Sequence, residues 1–217
     1  MASSRLASTT LYRTNGAYLP LAPATTTIPV PDRAPGGWSL DSLGGRFLEI
    51  SSPAVSITAA ASLILDAQLR GEPAAWVTID GSTFFPPDFA ACGIDLESLP
   101  VVRVPRLISA SRAADQLLRS GGFGVIVLDL GSNIDMRLAV QVRLAALAKK
   151  HHTTLLCLTR KEPAVPSLGP LVSLRAQGAI HKTGFDRFTW ELEILRDKRR
   201  GMGWRYTEVC HGPDGLC

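Results

Sequence analysis

Gly124-Val125-Ile126-Val127-Leu128-Asp129 is the stretch on which the fold reading turns. Its apolar run leaves no polar face, so it is predicted as a strand covered on both sides and closed by an acid. A helix is predicted next, over Asp135 to Lys150. Leu138, Val142 and Ala145 share one of its faces, and Lys149, Lys150 and His151 suit its negative C-terminal end. Thr153 to Leu158 is a second apolar strand, with Cys157 read as a small buried hydrophobe.

The same alternation extends upstream. Arg46 to Ile50 reads as a short strand, and Ile57 to Arg70 as an Ala-rich helix stopped by Gly71 and Pro73. Ala75 to Asp80 is a strand, Pro87 to Cys92 a short helix and Val101 to Val104 a short strand. Ser111 to Ser120 is helical, with Ala113, Ala114, Leu117 and Leu118 on its apolar face. Apolar strands separated by helices define an α/β fold, a mostly parallel sheet covered on both faces.

After about Leu171 the period changes. Phe188, Trp190, Leu192 and Ile194 alternate with Thr189, Glu191 and Glu193, which predicts a one-side-buried antiparallel strand. Lys198 to Gly203 is a basic turn and Trp204 to Val209 the returning strand, so an antiparallel hairpin closes one edge. Residues 1–37 hold five prolines and end at Gly36-Gly37; they read as an arm or linker before a core domain over 38–217.

The 217 residues are 46% apolar and 19% charged, with a formal charge of +4. That balance excludes a disordered polyelectrolyte and permits nucleic-acid contact without requiring it. Asp66, Asp129 and Arg160 interrupt every apolar run long enough to approach a membrane span, so no membrane role is expected. Cys92, Cys157, Cys210 and Cys217 form no CxxC pair and read as free thiols in a reducing cytoplasm, with no metal site. Adjacent His151 and His152 do not face one another on a helix, and Ser51, Ser52 and Ser56 lack a histidine partner pattern.

Asp80 and Asp129 each close an apolar strand where a doubly wound sheet places its ligand. Asp129 has the setting of a Walker B aspartate, so a phosphate loop is expected after the first strand. The residues there are Ser51-Ser52-Pro53-Ala54-Val55-Ser56-Ile57-Thr58-Ala59. Ser52 and Ile57 stand at the two glycine positions, Thr58 at the lysine and Ala59 at the magnesium ligand. Every group that cradles a triphosphate is missing. The helix N-terminus, with Ser52 or Ser56, retains at most a weak pull on anions. No nucleotide cofactor, no catalytic residue and no ATPase activity are expected, and the two aspartates read as structural remnants.

Gly45-Arg46-Phe47-Leu48-Glu49-Ile50-Ser51-Ser52-Pro53 resembles the approach to the phosphate loop in the RecA recombinase family. Ile79-Asp80 with Pro87, Phe89, Ala90 and Gly93-Ile94-Asp95 is similar to that family's second strand and the segment after it. Ser120-Gly121 through Asp129 is similar to its Walker B strand, and Trp190 to Lys198 with Trp204 to Gly215 to its C-terminal hairpin. The departures are as informative. The catalytic glutamate of the family falls on Ser82 and its nucleotide-sensing Asn-Gln pair on Thr159-Arg160. Leu130 to Asp135 is too short for the first DNA-binding loop, and Lys161 to Gly169 matches the second in position but not composition.

A RecA-like core without nucleotide chemistry resembles the ImuA-type accessory proteins of bacterial mutagenesis cassettes, and secondly the SulA-type division inhibitors. The first resemblance implies a non-catalytic adaptor in the SOS response to DNA damage, serving translesion synthesis. Its implied partners are RecA and an ImuB-type inactive Y-family polymerase, it would limit recombination, and its place would be the cytoplasm, associated with the nucleoid. The second implies binding to the tubulin-like division protein. Candidate contact residues are Arg196, Lys198, Arg199, Arg200 and Arg205 around the basic turn, with Trp204 and Tyr206 beside them. Two readings stand for this cluster: a patch for acidic surfaces or DNA phosphates, or a solvated turn guarding an edge strand. In the arm, Leu11, Tyr12, Tyr18, Leu19 and Leu21 are apolar enough to dock on a RecA-like surface, and a disordered tail is the alternative.

Overall fold

The computed structural model describes residues 11–14, 17–20, 37–52, 55–79, 84–132, 135–162, 164–185 and 187–211. The chain divides into two compact units, Met1–Asp32 and Arg33–Cys217. In the first, strands β1 (Leu11–Thr14) and β2 (Ala17–Pro20) pair antiparallel, a hairpin within the stretch that the prolines mark as an extended arm.

The second unit opens with helix α1 (Leu40–Leu43), strand β3 (Phe47–Ser51), helix α2 (Val55–Leu69) and strand β4 (Ala74–Ile79). Helix α3 (Pro86–Ala91), strand β5 (Val101–Val104), helix α4 (Leu107–Ser120) and strand β6 (Val125–Gly131) come next. Helix α5 (Leu138–Lys150) and strands β7 (Thr154–Thr159), β8 (Leu174–Lys182), β9 (Arg187–Asp197) and β10 (Arg205–His211) complete it.

These eight strands form one sheet in the order β10-β9-β8-β3-β7-β6-β4-β5. The six from β8 to β5 run parallel, and β9 lies antiparallel between β8 and β10. The C-terminal hairpin is therefore two strands of a three-stranded meander. Its first strand, β8, escapes the sequence reading because Arg175, Gln177, His181 and Lys182 break any apolar run.

Strand alternation sorts the core into two layers. Leu48, Ile50, Trp76, Val125, Val127, Leu156 and Leu158 pack on the α2 side, where Phe84, Phe89, Ile94 and Leu99 close the same cluster. Phe47, Ala75, Val77, Ile126, Leu128, Leu155 and Cys157 face α4 and α5. Helix α2 is apolar nearly all round, as a helix with cover on more than one side must be. Its one buried acid, Asp66, accepts from the Leu40 amide at 2.7 Å and from Arg70 Nε at 3.1 Å.

The face of α5 that carries Leu138, Val142 and Ala145 is turned to the core only at Ala145. Leu138 and Val142 are 55% and 49% exposed, whereas Gln141, Leu144 and Ala148 face the core. Gln141 goes inside because its Nε2 donates to the Met136 carbonyl at 2.6 Å and the Leu168 carbonyl at 2.8 Å. Two backbone acceptors thus outweigh the apolar stripe in choosing the buried side. No helix among the described residues is long and apolar enough to cross a membrane.

Candidate functional site

Strand β3 ends at Ser51 and α2 begins at Val55, so only Ser52, Pro53 and Ala54 connect them. Pro53 and Ala54 lie outside the described residues. A phosphate loop needs six residues between its glycines, inclusive, to curl backbone N–H groups around a phosphate. Here the second half of that span, Val55-Ser56-Ile57, is already the first turn of α2.

Each predicted loop position has another task. Ser52 donates from Oγ to the Gly178 carbonyl at 2.9 Å, tying the junction to β8. Val55 is buried against Gly178, where a Cβ would come within 2.6 Å of the valine Cβ. Ile57 packs half-buried on the core and Thr58 is half-buried beside it. Ala59 is enclosed, its carbonyl accepting from Trp38 Nε1 at 2.8 Å. A magnesium triphosphate does not fit this donor set: the second half of the span is helical, and Thr58 and Ala59 stand where the lysine and the magnesium-ligating hydroxyl are required.

Asp129 lies within β6, in register with Thr78 of β4, and is buried. The Thr78 hydroxyl donates to its Oδ2 at 3.2 Å. The strand runs on to Gly131, so Asp129 does not close it. Asp80 and Ser82 lie outside the described residues.

Glu49, fully buried on β3, carries a role the sequence reading missed. Its Oε2 accepts from the Leu168 amide at 2.9 Å, and its Oε1 takes the Thr159 hydroxyl at 3.3 Å and lies 3.6 Å from Lys161 Nζ. One carboxylate therefore fastens the β7–β8 connection to the sheet centre. An apolar strand with a single acid in its middle is the signal that would have found it, because a buried charge requires partners.

On this side of the sheet, an open cleft of about 490 Å³ lies where the ends of β3 and β7 meet the meander. Ser51, Arg160, Lys161, Gln177, Glu191 and Arg205 are among its walls. Arg205 pairs with Glu191 at 3.1 Å and with Glu193 at 3.9 Å. Two buried side-chain atoms near this cleft, Arg175 Nη2 and Gln177 Oε1, have no hydrogen-bond partner.

The basic turn is organised by Asp197. Its Oδ1 accepts from Arg46 Nη2 at 2.6 Å and from the Arg199 amide at 2.8 Å, and its Oδ2 from Trp204 Nε1 at 3.3 Å. Burial pushes the Asp197 carboxyl up, but the Arg199 amide and the Arg46 guanidinium outweigh it, leaving its pKa below the ordinary carboxylate value. The Arg200 guanidinium lies 5.4 Å from the Trp204 ring centroid, and Lys198 Nζ bonds the Pro170 carbonyl. Gly201 and Gly203, at φ 85° and 88°, supply the left-handed backbone of the turn.

The seven predicted contact residues do not form one surface. Arg196, Lys198, Arg199 and Arg200 are exposed at the turn. Trp204 and Tyr206 pack on the core on the α2 side, Tyr206 5.3 Å from Trp190 with its hydroxyl 2.8 Å from Glu208. Alternation along β10 sends Arg205 to the opposite face, among the glutamates. Among the predicted aromatic and basic anchors, Trp204 and Arg200 meet.

His152 packs on Gly44 and His151 on Gly121, so they point to separate neighbours. Cys92, Cys157 and Cys210 are free thiols whose pKa burial pushes up, Cys157 furthest, while Cys217 lies outside the described residues. Among the described residues, no group of three or more His, Cys, Asp or Glu side chains is placed to hold a metal ion.

No protein-family model matches the chain, and no curated protein matches it. Solved structures do. The crystal structure of the RadB recombinase is similar with a TM-score of 0.58 and 18% identity, over 77% of this chain and 91% of that one. The parallel order β8-β3-β7-β6-β4-β5 and the antiparallel meander beside it agree with that likeness, and the chain has a RecA-like α/β recombinase fold.

Proposed function

We propose that the chain is a non-catalytic RecA-like adaptor in DNA-damage-induced mutagenesis, of the ImuA type. It would bind RecA and an ImuB-type polymerase-like partner and restrain recombination. The observation that carries the non-catalytic part is the β3–α2 junction. Helix α2 starts at Val55, inside the span a phosphate loop needs, and no lysine stands between Ser51 and Ala59. A subunit with the recombinase shape and no response to ATP can join or cap a filament without cycling. The resemblance of Gly45 to Pro53 to the recombinase family, with the basic turn at Lys198 to Arg200, supports RecA as the partner.

Strand exchange by RecA with increasing amounts of this chain tests the reading. Inhibition near stoichiometric amounts, with no ATP hydrolysis by the chain itself, supports it. Undiminished strand exchange at a large excess counts against it.

A further inference from the structure

The eight-stranded sheet has two edges, and they are built differently. Strand β5 is four residues long, with Pro100 before it and Pro105 after it. Short length and flanking proline keep an edge from pairing further. Strand β10 has neither protection. It runs from Arg205 to His211 without proline, and it pairs with β9 residue for residue with no shift of register. Among the described residues no strand lies on its other side.

The turn before β10 decides which backbone groups face outward. The Ile194 amide donates to the Trp204 carbonyl at 3.1 Å, so Trp204 points its carbonyl at β9. Alternation then turns the backbone of Tyr206 and Glu208 toward β9 as well. It directs the N–H and C=O groups of Arg205, Thr207 and Val209 away from the sheet. The side chains of these three residues share the face opposite Trp204 and Tyr206. All three are exposed, Val209 by 53%.

We infer that β10 is a dimerisation edge, pairing antiparallel with β10 of a second copy about a two-fold axis at Thr207. With the axis there, the two Thr207 residues exchange N–H···O bonds. Arg205 of each copy does the same with Val209 of the other. The register sets the Tyr206 hydroxyl of each copy beside Glu208 of the other and lays the Arg205 stem along the second copy's Val209. An axis one residue on, at Glu208, would bring two carboxylates face to face. A second copy is also the occupant that closes the assembly. It uses both open edges at once and leaves only the short, proline-flanked β5 edges. A single strand from another protein would present a new edge in turn. The inference is independent of the partners proposed above.

Sedimentation of the full chain under reducing conditions tests it. A monomer–dimer equilibrium is expected between about 1 and 200 µM. Thr207→Lys sets two ammonium groups against each other on the axis and should weaken the dimer about tenfold or more. Thr207 is exposed, so the circular dichroism spectrum of this variant should match that of the parent. Diamide should link Thr207→Cys chains into dimers about tenfold faster than Val209→Cys chains, whose neighbour across the axis is Arg205. A monomer at every concentration, open-ended association, or a dimer that Thr207→Lys leaves intact overturns the inference. Equal or faster linking through Val209→Cys overturns the register at Thr207, and the inference with it.

Discussion

Arg46 and Asp197, 151 residues apart, meet in a buried ion pair with Nη2 2.6 Å from Oδ1. The pair joins the start of the central strand β3 to the end of β9, where the basic turn begins. Arg46 also reaches the Ser173 carbonyl at 3.2 Å, so one guanidinium spans β3, the β7–β8 connection and the meander. Position, more than net Coulomb gain, is what such a pair supplies, because desolvation offsets much of its attraction.

Removing one partner leaves the other charge buried and alone. Arg46→Ala and Asp197→Ala should each cost about 3–5 kcal/mol in urea unfolding at neutral pH. The double replacement should cost less than the sum of the two. Additive losses would mean that the two side chains act separately.

The same pair sets an acid dependence. The Asp197 pKa is depressed in the folded state, so its contribution is fully present above the unfolded aspartate value, about 3.9. It is lost as the pH falls through the lower folded value. Urea midpoints measured from pH 6 downward should fall more steeply below about pH 4 for the parent than for Asp197→Asn. Parallel pH profiles would contradict this assignment.

Gly178→Ala should be destabilising by about 1–3 kcal/mol, because the new methyl meets Val55 Cβ at 2.6 Å and the Glu191 carbonyl oxygen at 3.0 Å. Adding Val55→Gly removes both the Cβ and the Cγ1 that the methyl meets at 2.6 Å, so the double variant should recover part of the sum of the two single losses. No recovery would place the conflict at the Glu191 backbone alone.

Glu49→Ala leaves the buried Leu168 amide without its acceptor and removes the carboxylate 3.6 Å from Lys161 Nζ, a loss of about 2–3 kcal/mol. Hydrogen exchange at Leu168 should accelerate well beyond exchange in β6. Uniform acceleration across the sheet would instead indicate global destabilisation with no special hold on the β7–β8 connection.

Much of this fold is legible in the sequence, because a fully covered parallel strand advertises itself. β6 and β7 are apolar at nearly every position, and the predicted bounds of β5 match the observed ones to the residue. Elements whose burial depends on partners distant in the chain are not legible. β8 carries Arg175 and Gln177 into the sheet, and its membership comes only from pairing with β3 and β9. Gln141 turns α5 because the Leu168 carbonyl arrives from 27 residues away. At the candidate site, the identity of the phosphate-loop substitutions is readable, whereas the early start of α2 at Val55 is not. Nearness in sequence groups Arg205 with the turn; strand alternation and the register with Glu193 place it elsewhere.

Addition of magnesium ATP should leave the thermal midpoint unchanged. A site with a Kd of about 1 mM would add about 1.4 kcal/mol at about 10 mM nucleotide, enough to register as a shift of several degrees. Sulfate at equal ionic strength controls for a weak anion at the α2 N-terminus. A rise specific to ATP would contradict a nucleotide-blind subunit.

The most direct measurement of the adaptor reading is binding of the purified full chain to RecA, alone and on single-stranded DNA, beside an Arg199→Glu/Arg200→Glu variant. Saturable binding of the parent to RecA, weakened in the variant while its circular dichroism is unchanged, is the predicted result. No binding to RecA under either condition would contradict the account and turn attention to the tubulin-like division protein.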